Sequence, residues 1–245
     1  MTENMFKISH YFLNSSNDTF FSNLITDLNF VWEIIPEISK YLTLILKNSQ
    51  KIIAEVPEGV YISNKPVFIS KSAIIEPGVY IDGPAYIGEN VVIRHGAYIR
   101  ENAILMSNSL LGHSSEVKNS LFLPGAHAPH FNYVGDSVLG ANVNLGAGTK
   151  LSNLTVLSEK DRLTGKRPTI KLKVNSEEFD TELSKFGAIL GDNTQTGCNS
   201  VLNPGCIIGP NSLVYANVSL RKGYYPPNTI IKLRQNIELV KRIIE

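Results

Sequence analysis

Two of the chain's five histidines, His127 and His130, stand three residues apart in the run Gly125-Ala126-His127-Ala128-Pro129-His130. Imidazole titrates near neutral pH, so a histidine beside a bound substrate can take a proton from an attacking amine or hydroxyl. If the acyl group arrives as a thioester, one such base is enough and no metal is called for. As metal ligands, His127 and His130 are at best half a zinc site. The two cysteines, Cys198 and Cys206, match neither a disulfide framework nor a zinc quartet. The chain has no Gly-x-Ser-x-Gly elbow, no Gly-x-x-x-x-Gly-Lys-Ser/Thr loop and no Rossmann glycine fingerprint. These absences leave His130 as the leading candidate for a catalytic base.

The element that must position His130 announces itself by period. From Ile69 to Leu123 an aliphatic residue stands at every sixth position: Ile69, Ile75, Ile81, Ile87, Ile93, Ile99, Leu105, Leu111, Val117 and Leu123. A helix of 3.6 residues per turn scatters such a period around its axis, and a plain two-sided strand shows period two without a hexad. Four residues after each aliphatic the side chain is small or β-branched, as at Ala73, Val79, Ala85, Val91, Ala97, Ala103, Ser109 and Ser115, with Leu121 the exception. Turn pairs such as Asp82-Gly83, Gly88-Glu89 and His95-Gly96 fall between. Each hexad reads as one short strand and one corner, and three hexads as one triangular coil of a parallel β-helix. Cys206 falls on a small inward position, which assigns it to packing.

The repeat is interrupted twice. From Leu123 to Tyr133 the step is ten residues, so a loop is expected over 124–132, carrying His127 and His130. The register then runs through Leu139, Leu145 and Leu151. A longer insertion over 153–187 carries Lys160, Arg162, Lys166, Arg167, Lys171 and Lys173 ahead of Glu177-Glu178-Phe179-Asp180, and its 169–174 stretch alternates like one strand of a hairpin. It reads either as a solvated loop or as a basic arm for an anionic ligand or a neighbouring subunit. The repeat resumes at Leu190, Thr196, Leu202, Ile208, Val214 and Leu220, and Pro226-Pro227 is expected to end it.

Residues 1–50 are of another kind. Leu24, Leu28, Val31, Ile35, Ile38, Leu42 and Leu46 recur at helical steps, predicting a helical segment, broken or kinked near Pro36, that caps the open end of the coil or serves as a partner-binding arm. Residues 228–245 predict a C-terminal helix capped by Asn228 or Thr229. The fold class is thus all-β, a coil domain over 51–227 between two helical ends. A net charge of +1 and 43% hydrophobic residues argue against a nucleic-acid-binding or disordered chain. The most apolar window, 24–46, holds too many charges for a membrane span, and the start lacks the pattern of a secretory signal, so a cytoplasmic protein is expected.

The hexad pattern resembles that of the hexapeptide-repeat acyltransferases, which implies a left-handed parallel β-helix. The run from Arg100 to Asn153 resembles, more narrowly, the acetyltransferase domain of the bacterial enzymes that acetylate glucosamine-1-phosphate and then uridylylate it. The matching residues are Arg100, Glu116-Val117-Lys118, His130-Phe131-Asn132-Tyr133-Val134-Gly135-Asp136, Asn142-Val143-Asn144-Leu145-Gly146-Ala147-Gly148-Thr149 and Asn153. The resemblance implies His130 as general base supported by Glu116, Arg100 and Lys118 as phosphate ligands, and Tyr133, Asn144 and Asn153 as the lining of a sugar site. Ala147, Lys185, Cys198 and Ala216 fall where the family meets acetyl-CoA.

By that resemblance the chain is expected to be an acetyl-CoA-dependent N-acetyltransferase of an amino-sugar phosphate, homotrimeric, needing no metal and serving UDP-N-acetylglucosamine supply for the cell envelope. Leu154 in place of the family's tyrosine, Cys198 in place of a serine, the insertion and the lack of a uridylyltransferase domain leave the acceptor sugar open. Two alternatives stand beside it. Ala126-His127-Ala128-Pro129-His130 with Gly135 also resembles the loop of acyl carrier protein-dependent acyltransferases of UDP-sugars. A β-helix of this kind can also serve only for trimerisation or sugar-nucleotide binding.

Overall fold

The computed structural model describes residues 3–15, 17–47, 49–156 and 159–243. Short strands of two to four residues alternate with corners and stack in parallel into three long sheets, forming a left-handed β-helix. A nine-stranded sheet runs from Lys51–Ile52 to Gly223–Tyr225, and an eight-stranded sheet from Ile74–Ile75 to Ile230–Ile231. The third, the site sheet, also has eight strands and runs from Tyr61–Ile62 to Ser219–Leu220. The six-residue aliphatics point inward as expected, and Ile69, Ile87, Leu105, Leu111 and Val117 are fully buried in one continuous column. The small positions are buried beside them, Ser109 and Ser115 included. Cys206 is buried too, and burial pushes its thiol up to about 12, so it packs and does not react.

The step at 123–133 is not an inserted loop. After Val117 the inward residues are Phe122, Ala128, Val134 and Leu139, which pair through the sheets with Leu105, Leu111, Val117 and Phe122 respectively. The chain loses one residue between Val117 and Phe122 and another between Val134 and Leu139, shortening these coils from 18 residues to 17. The expected loop over 124–132 instead holds a coil strand of four residues, His127–His130, in ladder with Leu110–His113, between two corners. Leu123 and Tyr133 point outward, contrary to the six-residue reading, because period two within a strand sends neighbours of an inward residue to the opposite face. Leu121 is an exception for the same reason: it faces out, into a second core.

That second core explains residues 3–15 and 17–47. They do not close the end of the coil. They lie along the outer face of the nine-stranded sheet, where Ile104, Leu121, Val138, Ile189 and Ile207 make an apolar stripe that solvent would otherwise cover. Helix α1 spans Thr19–Leu24 and α2 spans Ile34–Leu46; Ile34, Ile35, Ile38, Leu42 and Leu46 are the buried face of α2. Pro36 does not break α2. It sits in the first turn, where its missing N–H has no intrahelical partner to lose. The insertion supplies the rest of the cover: Lys171–Val174 and Glu177–Asp180 form the expected hairpin, Leu172 is fully buried, and the Phe179 ring meets Phe6 edge-on at 5.2 Å.

At the far end the repeat outruns Pro226-Pro227. Asn228 turns a corner at φ 55° and Ile230–Ile231 pairs with Leu213–Val214. The predicted C-terminal helix is not formed: residues 232–243 are neither helix nor strand, and residues 244–245 lie outside the described residues. Its apolar positions Ile237, Leu239, Val240 and Ile243 are exposed. A short helix with no surface to bury its stripe against is marginal in water, which accounts for the difference. Among the described residues no helix is long and apolar enough to cross a membrane.

Candidate functional site

The corner that leads into the site sheet stacks one position per coil directly above the last. His113 and His130 are Cα partners in the ladder. The column is carried on by backbone hydrogen bonds: Phe131 N donates to His113 O at 3.0 Å, Gly148 N to His130 O at 2.9 Å, Asn199 N to Ala147 O at 2.8 Å and Asn217 N to Cys198 O at 2.9 Å. His95, His113, His130, Ala147 and Cys198 thus form one ridge, and Ala216, the residue before Asn217, continues it. Three of the four residues expected to meet acetyl-CoA lie in file with the expected base. They are small, and Cys198 and Ala216 are exposed, so this stretch of ridge is open.

His130 is itself exposed. Its backbone is held from below: the amide donates to Asn132 Oδ1 at 2.9 Å, and buried Asn132 donates to Gly146 O at 2.8 Å. One and two coils earlier, His113 and His95 stack with ring centroids 5.7 Å apart. His113 Nδ1 lies 2.9 Å from His95 O; a carbonyl only accepts, so Nδ1 is the donor.

Beyond the corner, the outer face of the site sheet carries the expected substrate residues. Glu116 pairs in register with Tyr98 on one side and Tyr133 on the other, and Lys118 stands two residues along the same strand. Arg100 Nη1 donates to Glu116 Oε1 at 2.8 Å. Glu116 therefore holds Arg100; among the described residues it makes no hydrogen bond to His130. The Tyr133 hydroxyl donates to Asn153 Oδ1 at 3.3 Å, and Asn153 Nδ2 donates to Asp136 Oδ2 at 2.5 Å. Burial, then the charges of Glu116 and Asp136, push the Tyr133 phenol up, so it stays a neutral donor.

The structure does not bring every expected residue to this face. Asn144 lies on the neighbouring sheet, opposite His127, across the corner from Tyr133. Lys185 lies at the other end of the site sheet from the ridge: the next residue, Phe186, donates its amide to Asn153 O at 3.0 Å.

Two functional neighbours were missed. Glu101 takes Lys118 Nζ at 3.2 Å and Arg100 Nε at 3.7 Å. Burial raises its carboxyl, but its own backbone N–H, Lys118 and Arg100 outweigh that and hold it below the ordinary carboxylate range. Asp136 is buried and clamps Asn119 as well as Asn153. A coil of 17 residues foretells both, since Glu101 to Lys118, Asn119 to Asp136 and Asp136 to Asn153 are each one such coil apart. With Glu101 and Glu116 in place, the two cations of this face are matched by two carboxylates. A phosphate must compete with them, so Glu101→Gln is expected to tighten binding of inorganic phosphate by roughly two- to fivefold, the scale of a half-exposed ion pair. Titration calorimetry giving equal or weaker binding in the variant would show that Arg100 and Lys118 do not receive the anion.

Residues 63–164 match the family described as GMPPB C-terminal domain, and residues 187–222 match the bacterial transferase hexapeptide (six repeats). The chain is 42% identical over 191 residues to the bifunctional protein GlmU of Methanococcus maripaludis, covering 78% of this chain and 43% of that one. It is 36% identical over 189 residues to a bifunctional sugar-1-phosphate nucleotidylyltransferase/acetyltransferase of Sulfurisphaera tokodaii, covering 77% and 44%. The chain thus spans less than half the length of these relatives. Among solved structures, a perosamine N-acetyltransferase of Caulobacter crescentus, bound to CoA and GDP-perosamine, aligns at 17% identity with a TM-score of 0.30, covering 70% of this chain and 53% of that one.

Proposed function

We propose that this chain, a hexapeptide-repeat transferase of the β-helix fold, moves an acetyl group from acetyl-CoA to the amine of a phosphorylated amino sugar, with His130 as the base. The observation that carries the reading is the shared ridge: His130, Ala147, Cys198 and Ala216 fall in one file, and the polar face of Arg100, Glu116, Lys118, Tyr133 and Asn153 begins one strand away. A thioester laid along the ridge meets an acceptor held on the face at His130. The name of the Sulfurisphaera tokodaii relative, which joins sugar-1-phosphate nucleotidylyl transfer with acetyl transfer, supports the same pairing.

The chemistry asks little of the protein beyond position. The acceptor nitrogen attacks the thioester carbonyl, the C–S bond breaks as the amide forms, and the proton that the nitrogen loses passes through the imidazole to the departing thiolate. Arg100 and Lys118 receive the phosphate, and the neutral Tyr133 phenol with Asn153 orients the sugar hydroxyls. Asn144, across the corner, is suited to complete the site on the amine side of His130.

A site spread over one open outer face is completed by a neighbouring β-helix, and a homotrimer is the assembly we assign. The test is thiol release from acetyl-CoA with glucosamine-1-phosphate as acceptor and no metal added, together with the mass in solution. Turnover by a trimer supports the reading. Release with acyl carrier protein thioesters alone, or tight UDP-sugar binding without turnover, would replace it.

A further inference from the structure

Beside the ridge, one residue further along each coil, runs a second column: Gly96, Ser114, Phe131, Gly148, Asn199 and Asn217. Every one of them turns the corner left-handed, with φ of 73°, 50°, 51°, 72°, 57° and 60°. Glycine enters that region freely and asparagine is a common substitute, but a bulky side chain there is an outlier. Among the described residues with positive φ, Phe131 is the one aromatic.

Packing within the chain does not account for it. Phe131 is 56% exposed, so its ring buries little. The ring meets His113, one coil back, edge-on with centroids 5.4 Å apart, and lies 6.4 Å from the ring of His130. A strained backbone kept for a largely exposed ring, one residue from the proposed base, is the mark of a residue held for a ligand.

The ridge also differs on the two sides of His130. On one side it is small: Ala147, Cys198 and Ala216. On the other it is filled by rings, His113 with Phe131 against it and then His95, stacked on His113 with 10° between their planes. His113 is held there by its Nδ1 hydrogen bond to His95 O at 2.9 Å. A thioester carbonyl has sulfur on one side and the acyl chain on the other. With the carbonyl at His130 and the coenzyme along Ala147, Cys198 and Ala216, the acyl chain points at Phe131 and His113.

We propose that Phe131, backed by His113, is the stop that limits the acyl group to the length of acetyl, so that the ridge takes acetyl donors and rejects longer acyl thioesters. The assignment rests on the acetyl-transfer reading and on the direction it gives the donor.

Thiol release with acetyl-, butyryl- and hexanoyl-CoA, each with glucosamine-1-phosphate as acceptor, tests the stop. In the wild type kcat/KM is expected to fall as the chain lengthens. Phe131→Gly and Phe131→Asn give this corner the residue types found at Gly148 and Asn199. Both should raise the butyryl-to-acetyl ratio of kcat/KM by roughly 10- to 100-fold, the scale on which a filled apolar pocket tells chain lengths apart. Phe131→Tyr keeps the ring and should keep the ratio. The Tm of Phe131→Asn should be level or higher, since the left-handed corner suits asparagine better. An unchanged ratio together with a lower Tm would make Phe131 a residue of the fold, and an unchanged ratio with a smaller mass in solution would make it a contact between subunits; either overturns the stop. Acetyl transfer that persists with an unaltered length profile removes the stop alone. No transfer from any of the three donors in the wild type removes the acetyl-transfer reading and the stop with it.

Discussion

His130→Ala is expected to lower kcat for acetyl transfer by about 10²–10⁴-fold, the usual worth of a positioned general base. The fold should be indifferent to the change. The side chain is exposed, its backbone is held by Asn132 and Gly148, and exposed substitutions of this kind stay within about 0.5 kcal/mol. His127 is the natural control. Its Nε2 lies 3.3 Å from Asn108 O and it stands at the start of the strand that ends in His130, away from the ridge, so His127→Ala should keep most of the turnover. Thiol release measured on both variants beside the wild type decides between them. Wild-type rates in His130→Ala would remove that residue from the mechanism, and a collapse in His127→Ala alone would move the base to the start of the same strand.

The expected effect can be placed on one atom group because the coil places it there. The hexad column from Ile69 to Val117 was legible in sequence, since each inward position demands a large aliphatic and nothing local competes with that demand. What the six-residue reading could not weigh was Leu121-Phe122-Leu123, three apolar residues in a row, any of which fits the inward slot. The choice fell to Phe122 because the outer face at this point is also a core, buried under α2, and so accepts Leu121 and Leu123. Periodicity reports one burial surface at a time, and here there are two. The same blindness hid the role of residues 3–15 and 17–47: their apolar spacing announced a helix but not the face it would cover.

The candidate site residues came from another source. His130, Arg100, Glu116, Lys118, Tyr133 and Asn153 rested on resemblance, and the structure puts most of them on one ridge and one face. The resemblance was silent on Glu101, whose ion pairs with Arg100 and Lys118 depend on where adjacent coils stop and start. It was silent also on the insertion, which it does not cover. There the sequence showed the cations but not that Lys171 pairs with Glu178 across the hairpin.

Gly112→Ala is expected to reach the site through the scaffold, and it is the second large effect. A Cβ at Gly112 meets Pro129 O at 1.7 Å and Pro129 C at 2.2 Å. Those atoms are backbone of the strand that carries His130, fixed by the pairing of His113 with His130, so no side chain can swing away. Replacing glycine by alanine stabilises a compatible site by about 0.4–1 kcal/mol through the unfolded chain. Overpacking against backbone costs about 3 kcal/mol or more, and so it wins. In a chain of this length that corresponds to a fall of roughly 6–12 °C in Tm, readable by calorimetry. The strand must move to admit the methyl group, and a displacement near 1 Å at a catalytic group costs about 10²-fold in rate. The kinetic part is read well below the new Tm, where the variant is folded; there kcat should fall while Ser114→Ala, at the neighbouring corner position, stays close to wild type. A Gly112→Ala protein with unaltered Tm and kcat would mean that the two coils do not approach as described, and the position of His130 on the ridge would fall with them.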